Sequence, residues 1–166
     1  MQPQVIRNFY SKDLMDLLRL QVEVFKSPAG QGLGVTEDRE VFFRKQVHNP
    51  AIFKALHYLM VKRANELFPE AVKPSYAYVS MYEDERSICP LHTDREQCKY
   101  TVDLCLDQGK VWPIFINGLA YDLNPGDAVV YSGTDHPHYR NQIEKGNFCH
   151  LAFFHFVPTT FNGGLD

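Results

Sequence analysis

A chain of 166 residues, 45% hydrophobic and 22% charged, is long enough for one domain around a single sizeable core. A formal charge of −3 excludes a general electrostatic pull toward nucleic acid or an anionic membrane. Nothing approaches a membrane span, and Met1–Arg7 lacks an apolar run of signal-peptide length, so a cytoplasmic chain is expected, with Cys89, Cys98, Cys105 and Cys149 as reduced thiols.

The front of the chain reads as helical. Ser11 can cap a helix running to about Phe25, with Leu14, Leu17, Leu18 and Val22 near one face. Ser27–Gly34 is rich in Gly and Pro and reads as a connector. A short helix is expected over 37–47. Asn49 and Pro50 open another helix, whose apolar stripe of Ile52, Phe53, Leu56, Leu59, Met60, Ala64 and Leu67 continues to Phe68. His57 lies in that helix as a surface or core residue.

After Pro74 the period changes to two. Tyr76, Tyr78, Ser80 and Tyr82 alternate with Ala77, Val79 and Met81, the pattern of a strand. Further strands are expected near 98–107, 112–117, 120–123, 128–132, 138–142 and 148–157. The turn signals Asp107-Gln108-Gly109, Asn117-Gly118, Asn124-Pro125-Gly126-Asp127 and Lys145-Gly146 separate them. A helical front, residues 1–73, followed by a β core, residues 74–158, predicts one mainly β (α+β) domain over 1–166, a sandwich or barrel with helices packed outside.

The chemistry concentrates in Leu91-His92-Thr93-Asp94-Arg95 and Asp135-His136-Pro137-His138-Tyr139-Arg140. Residues two apart on a strand point to the same side, so His92 and Asp94 share a face. A later histidine would complete two imidazoles and one carboxylate, a donor set that suits non-heme Fe(II) and leaves coordination positions open. His136 and His138 are both candidates, and counting back from Phe156 favours His138. Asp135 is a candidate partner for the other ring nitrogen of that histidine. A zinc site from Cys89, His92 and Cys98 fits no usual ligand spacing.

Four elements occur in order: a tyrosine-bearing strand, His-x-Asp, a threonine-containing strand from Tyr100, and Pro125-Gly126-Asp127 before Ala128-Val129-Val130 and the distal histidine. In this the chain resembles the Fe(II)/2-oxoglutarate dioxygenases, in particular the prolyl-4-hydroxylase-like group. The resemblance runs from Val5 to Phe156. It implies a double-stranded β-helix, the jelly-roll or cupin-like core. It also implies Fe(II) held by His92, Asp94 and His138, with 2-oxoglutarate and dioxygen as cosubstrates and Tyr82 lining their site. The basic residue that the family places about ten positions after the distal histidine is missing from Gly146-Asn147-Phe148-Cys149. Arg140 and His150 are the substitutes, His150 on the premise that the face of Phe148, Ala152, Phe154 and Phe156 points inward and that of His155 outward.

The resulting expectation is a hydroxylase acting on a small molecule such as an amino acid or biosynthetic intermediate, with no nucleic-acid or membrane partner. Two alternatives stand beside it: a cupin-type metalloenzyme that does not use 2-oxoglutarate, and a non-catalytic binding module of the same fold.

Overall fold

The computed structural model describes residues 1–166, the side chain of Gln31 apart. Strand β1 (Gln4–Ile6) leads into helix α1 (Lys12–Lys26). Ser11 caps α1, its extended backbone aiming the hydroxyl to accept from the Leu14 N–H at 3.5 Å. Met15, Leu18, Val22 and Phe25 form the buried stripe.

The helix expected over 37–47 does not form. That stretch is a hairpin of β2 (Val35–Asp38) and β3 (Arg44–His48). The Asp38 carboxylate accepts the backbone N–H groups of Glu40, Val41 and Phe42 at 3.0, 2.9 and 3.3 Å. Such a side-chain turn competes with helix formation, and β3 gains a partner in β4 (Val72–Tyr82). The front of the chain is therefore only partly helical and adds three strands to the main sheet. The long helix expected after Asn49 is two helices, α2 (Ala51–Leu59) and α3 (Val61–Leu67), meeting at Met60.

The strands of the second half lie close to their expected positions, except β5, for which no range was expected. They are β5 (Cys89–His92), β6 (Tyr100–Gln108), β7 (Ile114–Ile116), β8 (Leu119–Tyr121), β9 (Ala128–Tyr131), β10 (His138–Arg140) and β11 (Cys149–Pro158). Asn117 and Gly118 both have positive φ, 51° and 78°, which suits the twist of the two-residue β7–β8 hairpin. One sheet has the order β1-β9-β6-β11-β4-β3-β2 and the other β5-β10-β7-β8. From β4 to β11 the chain crosses repeatedly between them, and every pairing is antiparallel.

Both faces of the larger sheet are buried, and strand alternation sorts its residues between two cores. Ala77, Val79, Val102, Leu104, Val130, Ala152, Phe154 and Phe156 pack with Leu18, Phe25 and Phe53 of the helices. Tyr82, Cys105, Val129, Tyr131, Cys149 and Leu151 face inward against Ile114 and Ile116 of the smaller sheet. Among the described residues no helix is long and apolar enough to cross a membrane.

Candidate metal centre and its cavity

Between the sheets lies a cavity of about 270 Å³ whose lining includes His92, Asp94, His138, Tyr82 and Arg140. Pairing of β5 with β10 creates its candidate metal corner, because His92 and His138 are register partners. Their rings lie 4.4 Å apart, centroid to centroid. Asp94 Oδ1 is 3.4 Å from His92 Nε2 and 3.7 Å from His138 Nε2, and the three ligand atoms lie within 4.8 Å of one another.

The remaining ring nitrogens are already placed. Nδ1 of His92 is 2.7 Å from the Pro90 carbonyl oxygen, and Nδ1 of His138 is 2.9 Å from that of His136. A carbonyl only accepts, so each Nδ1 carries hydrogen and donates. This turns each Nε2 toward Asp94, the orientation a metal-binding histidine requires. His138 is thus the histidine that joins the pair. His136 supplies a backbone carbonyl rather than its ring. Asp135 does not orient His138: it binds Lys99 Nζ at 2.7 Å and Ser132 Oγ at 2.8 Å.

The electrostatics fit a cation at this corner. Hydrogen bonding to Asp94, and then to Cys89, raises the His92 pKa to about 10. Burial pushes the Asp94 carboxyl up, but His92 and the neighbouring imidazoles outweigh it and hold the carboxyl below its usual range. Burial lowers the pKa of His138, which suits a neutral ligand. A second trio, Asp94, Cys98 and His155, also has its ligand atoms within 4.8 Å. Its chemistry fits a metal poorly. The Cys98 sulfur bonds Tyr76 Oη at 2.9 Å, and burial raises the thiol pKa to about 12, whereas a metal needs thiolate.

Arg140, two residues beyond His138 on β10, points into the same cavity and is only 3% exposed. Its Nη2 donates to Asp103 Oδ2 at 2.9 Å and its Nη1 to the Trp112 carbonyl oxygen. A guanidinium has five N–H donors, so others remain. Asp103 is fully buried, and its Oδ1 has no protein partner. Tyr82 lines the cavity too, its hydroxyl 2.7 Å from Arg44 Nη1.

His150 does not reach the cavity. It lies on the helix-covered face, where Nε2 is 2.9 Å from Glu83 Oε1. The reason is the inversion of faces on β11. Phe154 and Phe156 are apolar because helices cover them, while Leu151, Phe153 and His155 face the interior. His155 sits beside the candidate metal corner, Nδ1 3.1 Å from Thr101 Oγ1. Burial lowers its pKa to about 4, so it is neutral.

Sequence reasoning missed Arg44, Asp103 and His155 as cavity residues. For Asp103 and His155 a signal existed: each interrupts an apolar strand, a position costly for a polar group without a partner. For Arg44 no signal existed, because the stretch was read as helix.

No protein-family model matches the sequence, and no curated protein matches it. Solved structures do match. A Pseudomonas putida prolyl-4-hydroxylase aligns over 94% of this chain and 92% of its own, with 15% identity and a TM-score of 0.68. HygX from Streptomyces hygroscopicus, with nickel, 2-oxoglutarate and hygromycin B bound, aligns over 96% and 84%, with 10% identity and a TM-score of 0.74. EctD from S. alaskensis, with 2-oxoglutarate and 5-hydroxyectoine, aligns over 95% and 72%, with 12% identity and a TM-score of 0.75. These structures are Fe(II)/2-oxoglutarate-dependent oxygenases. At such identities the likeness is one of fold: the chain is a double-stranded β-helix with helices packed outside.

Proposed function

We propose that this chain is an Fe(II)- and 2-oxoglutarate-dependent oxygenase that hydroxylates an unactivated C–H bond of a small molecule. The observation that carries the reading is the convergence of His92 Nε2, His138 Nε2 and Asp94 Oδ1 in a cavity that also holds Arg140. Two neutral imidazoles and one carboxylate are the donor set of iron that must keep open positions. When bound, the iron supplies the redox chemistry by which dioxygen is reduced at the expense of 2-oxoglutarate.

The protein residues have separable roles in this reading. The Pro90 and His136 carbonyls hold each imidazole in the tautomer whose Nε2 faces the metal position. Arg140 receives the far carboxylate of 2-oxoglutarate through its free N–H groups, a charge-assisted contact. Asp103 keeps the guanidinium in place from behind. Tyr82 closes the same wall, its ring against Trp112 at 4.9 Å. The volume of about 270 Å³ lies at the small end of ligand pockets and favours a small molecule.

The test is spectroscopic. Metal-free protein given Fe(II) and 2-oxoglutarate without oxygen develops the metal-to-ligand charge-transfer band of a chelated 2-oxo acid. Arg140→Gln raises the 2-oxoglutarate dissociation constant about tenfold or more, as loss of a charge-assisted bond requires. Iron uptake with no band at any 2-oxoglutarate concentration overturns the reading in favour of a cupin-type metalloenzyme.

A further inference from the structure

We propose that the substrate is a small carboxylic acid whose carboxylate is received by Arg44 and Arg95. The proposal rests on the oxygenase reading and names the substrate class for that site. Both guanidiniums line the cavity of the metal donors. Neither makes an ion pair among the described residues. Arg44 is half-buried and donates to Tyr82 Oη at 2.7 Å, Tyr78 Oη at 3.0 Å and Gln46 Oε1 at 3.1 Å, all neutral. Arg95 donates only to Tyr76 Oη, at 3.4 Å. Both are held by aromatic faces: Arg44 over Phe42 at 4.1 Å and Arg95 over Tyr76 at 4.8 Å. The cavity therefore presents two oriented forks without a counter-ion, and a planar carboxylate matches a guanidinium fork.

The charge balance points the same way. Arg140 is offset by Asp103. With iron and 2-oxoglutarate in place, Asp94 and the two cosubstrate carboxylates exceed the metal's two charges by one. Arg44 and Arg95 then leave one positive charge over. A monoanionic carboxylate balances it, whereas a phosphate dianion overshoots. Phe42, Tyr78 and Phe153 on the walls suit a flat or apolar body beside that group.

Benzoate, benzamide, benzylamine and phenyl phosphate are suitable probes, titrated calorimetrically into protein holding Fe(II) and saturating 2-oxoglutarate without oxygen. Benzoate is expected to bind at least about tenfold tighter than its neutral amide, and tighter than the amine and the phosphate, with the charge-transfer band retained. Arg44→Gln and Arg95→Gln each reduce the benzoate preference by about tenfold, the effect of losing one charge-assisted contact. Arg95 is exposed, so its variant folds. Should Arg44→Gln not fold, Arg44→Lys replaces it and weakens benzoate by losing the fork while keeping the charge. Equal affinity for benzoate and benzamide overturns the proposal, as does a preference that survives the substitutions. Displacement of 2-oxoglutarate by benzoate, seen as loss of the band, also overturns it, because the anion then occupies the cosubstrate's place. Tighter binding of phenyl phosphate overturns the choice of a carboxylate. If no band forms at all, the oxygenase reading falls by itself, and the benzoate–benzamide comparison on metal-free protein decides the anion site by the same criteria.

Discussion

Asp94 and Gly133 are bound backbone to backbone, the Asp94 N–H donating to the Gly133 carbonyl at 2.9 Å, in contact so close that a methyl group on Gly133 would lie 2.2 Å from Asp94 Oδ2. The same methyl would lie 2.5 Å from the Cys98 carbonyl oxygen. The glycine is needed for the approach, since any side chain there pushes the carboxylate off its line with the imidazoles. Gly133→Ala is expected to keep its far-ultraviolet circular dichroism while losing about 10- to 100-fold in Fe(II) affinity, the range seen when the support of a metal ligand is disturbed. Gly32→Ala, where an added methyl meets nothing within 4 Å, is the control and keeps full affinity. Equal affinity for the two variants would show that Asp94 does not hold the metal.

The two distal histidines separate by the same measurement. His138→Ala removes the imidazole that faces Asp94 and is expected to abolish retention of Fe(II) through gel filtration. His136→Ala retains it, because the His136 contribution is a backbone carbonyl that alanine also has. A metal-free His136→Ala protein would place the ligand two residues earlier and shift the register of β10.

What the chain discloses before folding depends on how local the information is. His92 and Asp94 are legible from their spacing of two, although β5 ends at His92 and Asp94 is held beyond it by its N–H bond to the Gly133 carbonyl; the Pro-Gly-Asp turn fixes where β9 begins. Their meeting with His138 is a register between β5 and β10, inferred from motif order. The faces of β11 were not legible. A strand buried on both sides offers two apolar sets, and here the one under the helices, Phe154 and Phe156, is the more apolar. Each set carries one histidine, His150 under the helices and His155 inside, so polarity did not separate the faces, and a change of face moves every side chain at once. Arg44 was invisible for another reason. Its hairpin depends on the Asp38 turn and on pairing with β4, and the second of these is tertiary.

The Arg140–Asp103 pair is buried on both sides, at 3% and 0% side-chain exposure, so removing one partner strands the other. Asp103→Ala is expected to lower stability by about 3–5 kcal/mol in urea titrations. The double variant Asp103→Leu, Arg140→Met removes both charges and is expected to recover most of that loss, since replacing a buried pair by apolar groups is often neutral. If Arg140 is the anchor, the double variant is expected not to bind 2-oxoglutarate. Recovery of stability together with 2-oxoglutarate affinity would show that Arg140 does not anchor the cosubstrate.

His57 gives a pH dependence from outside the cavity. Its ring packs edge-on against Phe156 at 4.5 Å, is 1% exposed, and leaves Nε2 without a partner. Burial first, with the His155 imidazole adding to it, lowers its pKa to about 3 from 6.5. Between these values the unfolded chain binds a proton that the folded chain refuses. The stability associated with neutral His57 is therefore complete above pH 6.5 and is lost as pH falls from 6.5 toward 3, by about 1.4 kcal/mol for each pH unit. His57→Leu keeps the apolar contacts and removes the titration. At pH 7 its urea midpoint is expected to match or exceed that of the parent, because leucine leaves no unpaired ring nitrogen in the core. From pH 6.5 to pH 5 the parent loses stability faster than the variant, and the gap between them widens in the variant's favour. Parallel curves across that interval would mean that the folded protein admits the proton, by opening α2 or by hydrating the ring.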